Sequence, residues 1–106
     1  MNGLTIDSTY LARDVVCLEV SGDIDMASSA VLDNAIRQAM TTPQIKRVLV
    51  DLSKVTFLDS TGINILVQDH QRAGDQNITL QVVNPSTMAL RVLDLTGVLE
   101  FLSGDA

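Results

Sequence analysis

Along residues 14–21 (Asp-Val-Val-Cys-Leu-Glu-Val-Ser) apolar and polar positions alternate, with Val16, Leu18 and Val20 on one side. A period of two sets those three on one face of a pleated chain, which predicts a half-buried strand. The short segment Leu4–Tyr10 precedes it and can pair with it as an antiparallel edge. Gly22 ends the strand, and Asp23-Ile24-Asp25 forms a turn-like exit. The period then changes. Val31/Leu32, Ala35/Ile36 and Ala39/Met40 recur every four residues, the single apolar stripe of a helix that Ser28 or Ser29 can cap and that runs to about Met40. Thr41-Thr42-Pro43 stops it.

Arg47 to Leu52 has an unbroken apolar centre, the pattern of a parallel strand covered on both faces. A loop over Ser53–Asp59 leads to a second helix from Ser60 to about Ala73, with Ile63, Leu66, Val67 and His70 on its inner side. Residues 78–83 form another strand. Pro85-Ser86 opens a third helix carrying Met88, Val92, Leu93 and Leu95, and Gly97 stands where a C-terminal glycine belongs. The tail Val98–Leu102 packs back on the domain. The order β-β-α-β-α-β-α predicts an α/β fold: a mixed, mostly parallel sheet of four to five strands with an antiparallel edge hairpin and three to four helices. No linker or repeat interrupts it, so residues 1–106 read as one domain.

Composition narrows the function. Of 106 residues, 46% are hydrophobic, enough for a core, but only Tyr10, Phe57 and Phe101 are aromatic. That is a poor basis for stacking single-stranded nucleic acid. A formal net charge of −6 repels phosphate backbones, and only Lys46-Arg47 are adjacent basic residues. No nucleic-acid partner is expected. Met1-Asn2-Gly3-Leu4 lacks the basic and apolar regions of a signal peptide, and no apolar run approaches the ~18 residues of a membrane span. One cysteine, Cys17, excludes an internal disulfide and reads as a small buried hydrophobe. A cytoplasmic protein without membrane association is the expectation.

Enzyme motifs are scarce. There is no phosphate-binding loop, no dinucleotide fingerprint and no paired Cys/His ligand set, so no cofactor, metal or catalytic residue is assigned. The one histidine, His70, falls on the apolar side of the second helix. A serine hydrolase built on Ser60 would need a base, and His70 lies ten residues on, roughly 15 Å at helical rise.

The informative stretch is Val48–Val67, VLVDLSKVTFLDSTGINILV. A strand runs out through an apolar segment (Val55, Phe57, Leu58) to Asp59-Ser60-Thr61-Gly62 and then a helix. Read plainly, Asp59 or Ser60 caps that helix and Gly62 lets its first turn pack closely. The same residues also put a hydroxyl at the rim of an apolar surface, beyond the carboxyl end of a central strand. Open α/β sheets place ligands there, and unpaired N–H groups of a helix start favour a phosphoryl group.

This block resembles the signature of the STAS domain, the fold of bacterial anti-sigma-factor antagonists. Two flanking blocks agree in order: Gly22-Asp23-Ile24-Asp25, and Asn84-Pro85-Ser86 followed by Leu93-Asp94-Leu95-Thr96-Gly97. The likeness runs from about Leu4 to Leu102. It departs at Ala73-Gly74-Asp75-Gln76-Asn77, where the family's turn is often glycine-rich. The resemblance implies an anti-sigma factor antagonist that is a binding module and not an enzyme. It implies that Ser60, rather than Thr61, is phosphorylated by a partner anti-sigma factor, a serine kinase of the histidine-kinase-like ATPase superfamily. Asp25 and Asp59 would lie beside that serine. The implied partner-binding residues are Asp25, Phe57, Leu58, Asp59, Ser60, Thr61, Gly62 and Asn64, and a metal-dependent serine phosphatase would restore Ser60. STAS domains also dock on transporter ATPases without a phosphorylation cycle, an alternative open at this stage.

Overall fold

The computed structural model describes residues 3–103. In order they form β1 (Thr5–Ala12), β2 (Val15–Ile24), α1 (Ser29–Met40), β3 (Arg47–Leu58), α2 (Ser60–Asp75), β4 (Thr79–Val83), α3 (Thr87–Leu95) and α4 (Leu99–Ser103). Parts of the expected domain, including the Met1-Asn2 start, lie outside the described residues. Arg13-Asp14 is too short a connection for anything but a hairpin, and β1 pairs antiparallel with β2. The α1 and α2 crossovers make the β2–β3 and β3–β4 pairs parallel. The sheet order is β1-β2-β3-β4.

The register explains the core. Val16 and Leu18 of β2 stand beside Val48 and Val50 of β3, which stand beside Leu80 and Val82 of β4. All six share one face and are buried, together with Leu32 and Ile36 of α1 and Leu66 and Ala73 of α2. Each Leu or Val sealed this way contributes about 1.5–3 kcal/mol. The other face carries Cys17, Glu19, Leu49, Asp51 and Gln81, none fully buried. The expectation that β3 is covered on both faces is therefore corrected: Leu49 and Asp51 are only half-buried. Cys17 is likewise half-buried rather than sealed.

The expected loop at Ser53–Asp59 is also corrected, because β3 runs on to Leu58. There Lys54, Val55, Phe57 and Leu58 pair with Ser21, Gly22, Asp23 and Ile24, with register shifts on either side of Ser21–Gly22. Each shift breaks the alternation, so the inward residues become Leu52, Val55 and Leu58, three apart. Gly22 makes the irregularity possible. Its φ is +110°, and a Cβ there would sit 2.6 Å from the Gly3 carbonyl oxygen.

Helix details mostly follow the periodicity. In α1, Leu32, Ile36 and Met40 are buried, whereas Val31 is exposed. In α3, Ala89 and Leu93 are buried, but Leu95, expected on the apolar side, is 79% exposed. Gly97 has φ +78° just past the end of α3. The tail forms α4 and buries Leu102 completely.

Candidate functional site

The carboxyl ends of β2 and β3 are neighbours, Ile24 opposite Leu58. Beyond them the chain enters α1 and α2, so the starts of both helices meet at one end of the sheet. The Asp59 N–H donates to the Ile24 carbonyl at 3.2 Å, which ties the turn before α2 to β2. Asp59 then caps α2: its Oδ1 accepts from the N–H of Thr61 at 2.9 Å and of Gly62 at 3.2 Å. Of the two caps the sequence allowed, Asp59 is the one used. Ser60 becomes the first residue of the helix, with its side chain exposed.

Gly62 is buried because α2 starts almost on top of the strands. A Cβ at this position would lie 2.5 Å from Ile24 Cγ2 and 2.8 Å from Leu58 Cδ1. Leu58 is itself 3% exposed. Of the expected partner-binding residues, Leu58 and Gly62 are buried and face the strand ends rather than solvent. Phe57, Ser60 and Asn64 are exposed, and Thr61, Asp59 and Asp25 are half-buried.

Asp25 holds the neighbouring loop. Its Oδ1 accepts from the N–H groups of Ala27 and Ser28, both at 3.0 Å, and its own N–H donates to Ser28 Oγ at 3.0 Å. The Ser28 hydroxyl donates to the Asp23 carbonyl at 2.6 Å. Ser28, the residue before α1, thus braces this loop instead of capping its helix with its side chain. Asp23 in turn accepts from the Thr56 hydroxyl across the β2–β3 pair. The loop so fixed presents Met26, 79% exposed, on the same end of the sheet as Ser60. Met26 was not singled out by sequence reasoning. Its one signal was a large apolar residue placed directly after a polar turn.

His70 does not join the site. It lies half-buried in α2 against the ring of Phe101 of α4, centroids 4.3 Å apart, and burial holds its pKa below the ordinary value. Cys17 is the third residue of β2, near the end of the strand away from Ser60. Burial and the carboxylates of Asp51 and Glu19 push its thiol pKa up. No base is thereby assembled with either group as a nucleophilic pair for Ser60. Among the described residues no three His, Cys, Asp or Glu side chains converge as metal ligands. No described helix is long and apolar enough to cross a membrane. Cavities of about 450 Å³ between β1 and α1, and about 620 Å³ near Arg13 and Lys46, include no residue of the Ser60 turn.

The sequence model of the STAS domain matches residues 8–104. The chain belongs to the STAS family. Among STAS relatives, the anti-sigma-F factor antagonist RsfB of Mycobacterium tuberculosis is 32% identical over 83 residues, 78% of this chain. That match spans 66% of RsfB's own length. The crystal structure of an anti-sigma factor antagonist from Mycobacterium paratuberculosis is 28% identical, with a TM-score of 0.82 over 96% of this chain and 84% of that one. The Bacillus protein SpoIIAA has the same STAS fold at 18% identity, with a TM-score of 0.77 over 96% of this chain and 88% of that one. Asp59-Ser60-Thr61-Gly62 at the start of α2 therefore lies inside the matched STAS region, as do Asp25 and Asn64.

Proposed function

We propose that this STAS protein is an anti-sigma factor antagonist, docking on a kinase-type anti-sigma factor through the end of the sheet that carries Ser60 and released by phosphorylation of Ser60. One observation carries the reading: Asp59 takes the capping role, which leaves the Ser60 hydroxyl exposed at the helix start. Two anti-sigma factor antagonists among the relatives, at 32% and 28% identity, support it. The contact surface is Phe57, Ser60, Thr61 and Asn64 from β3 and α2, with Asp25 and Met26 from the β2–α1 loop. Binding sequesters the anti-sigma factor and frees its sigma factor for RNA polymerase, in the cytoplasm.

The kinase supplies ATP and the base, so this chain needs neither. Ser60 Oγ forms the new P–O bond, its proton goes to the kinase's base and ADP leaves. The modified serine gains about −1.5 to −2 charge. A bare helix N-terminus would absorb that charge. Here the Asp59 carboxylate already occupies the Thr61 and Gly62 N–H groups, so the phosphoryl group meets an anion and turns outward into the docked partner. A loss of only ~3 kcal/mol at the interface weakens binding more than a hundredfold. A serine phosphatase reverses the switch.

Incubation with the cognate kinase and ATP should add one phosphate by intact mass. Ser60→Ala should accept none, and Ser60→Asp should bind the kinase at least tenfold more weakly by calorimetry. Phosphorylation of Ser60→Ala at the wild-type level would overturn the site. Stable co-purification with a transporter ATPase and no phosphate on Ser60 would overturn the switch.

A further inference from the structure

Asp69 is an anomaly in the helix layer. Its side chain is completely buried, yet it lies on the inward stripe of α2 with Ile63, Leu66 and Ala73. Oδ1 is met by Arg72 at 2.6 Å, whereas Oδ2 has no hydrogen-bond partner among the described residues. A buried, unmatched carboxylate oxygen is costly. The group facing it across the α1–α2 contact is Asp33, another carboxyl within hydrogen-bond reach, 21% exposed and bound to Arg37 at 3.1 Å. Two carboxyls that meet there, each paired with one arginine through its Oδ1, lack a donor between them. One proton supplies it.

We propose that Asp69 and Asp33 form a carboxylic acid–carboxylate pair, a proton-binding site in which the Asp69 O–H donates to Asp33 and latches α1 to α2. Burial and the proximity of Asp33 outweigh Arg72 and push the Asp69 pKa up to about 7. The charged groups around the pair are Asp33 and Arg37 from α1 and Arg72 from α2. His70, the next residue, turns to Phe101 of α4, and the β3 and β4 residues of the buried face are the apolar Val48, Val50, Leu80 and Val82. Loss of the proton above neutrality leaves two carboxylates opposed, and the helices separate there. Asp69 is nine residues into α2, roughly 13 Å along the axis from Ser60. Because both helices start at that end of the sheet, the latch sets the spacing of the two loops there, whatever binds them.

The sign follows from linkage. A carboxyl whose pKa is higher folded than unfolded stabilises fully below the unfolded value, near 4, and loses that stabilisation as pH rises towards the folded value. Asp69→Asn mimics the protonated acid, its amide donating to Asp33 and its carbonyl accepting from Arg72. In urea titrations across pH, the wild-type unfolding constant should rise about thirtyfold relative to Asp69→Asn between pH 5.5 and 8.5, and level off above about 7. Carboxyl carbon NMR of wild type should show Asp69 titrating near 7. Asp33→Asn places an amide donor opposite Asp69, so the Asp69 titration should move below pH 6. The NMR arms decide the matter even if Asp69→Asn does not fold. Asp69 ionised at pH 5, an unchanged Asp69 titration in Asp33→Asn, or identical pH profiles for wild type and Asp69→Asn would each overturn the latch.

Discussion

Replacing Gly62 with alanine sets two effects of opposite sign against each other. In an exposed helix interior, Gly→Ala gains up to about 1 kcal/mol from backbone entropy and propensity. At Gly62 the new methyl would stand 2.5 Å from Ile24 Cγ2 and 2.8 Å from Leu58 Cδ1, far inside van der Waals contact. Ile24 is β-branched and completely buried, so its methyl cannot swing aside without an unfavourable χ1. Leu58 is sealed as well. Overpacking of this kind costs about 1–3 kcal/mol. The steric term wins, and Gly62→Ala should lose about 1–2 kcal/mol, or about 5–15 °C in Tm for a domain of this size. Gly74 supplies the control. It lies in the same helix, and beyond that helix's own neighbouring backbone nothing lies within 4 Å of its added Cβ, so Gly74→Ala should be neutral or gain about 0.5–1 kcal/mol. Paired urea and thermal melts decide the matter. If Gly62→Ala proves as stable as wild type, the close seating of α2 on the strand ends is wrong.

Asp59→Ala should cost about 1 kcal/mol through loss of the cap to Thr61 and Gly62, while Asp59→Asn retains most of it; an unchanged urea midpoint in the alanine variant would contradict the cap. Cys17, its thiol raised by burial and by Asp51 and Glu19, should react with iodoacetamide at pH 8 several-fold more slowly folded than in urea; equal rates would refute the environment described.

Regular periodicity was legible and irregular geometry was not. The faces of β2 and α1 could be read from the sequence because Val16/Leu18/Val20 and Leu32/Ile36/Met40 keep strict periods of two and four. The second half of β3 hid because the register shifts around Ser21–Gly22 convert a period of two into steps of three, which looks like loop. In α2 the expected inward stripe was Ile63, Leu66, Val67 and His70; Ile63 and Leu66 are buried, but Val67 and His70 are only half-buried, and Asp69 is buried completely. Polarity argued against burying a carboxyl, and only the neighbouring helix, with Asp33, changes that. Ser60 itself was legible as a position. Its freedom from capping was not, since Asp59 and Ser60 are equally good caps by residue type. Leu95 misled because apolar character says nothing about which side of a short helix finds a neighbour.

β4 stops at Val83, opposite Asp51, so the outer rim of β3 beyond that point has no strand beside it. Ser86 fills the vacancy: its N–H donates to the Leu52 carbonyl at 3.0 Å and its hydroxyl to the Val55 carbonyl at 2.8 Å, while the same Oγ caps α3. The start of α3 is thus a buttress for the overhanging tip that carries Phe57 and leads to Ser60. Under the proposed function, damage to that buttress would register as faulty partner recognition, although Ser86 supports that end of the sheet only from behind.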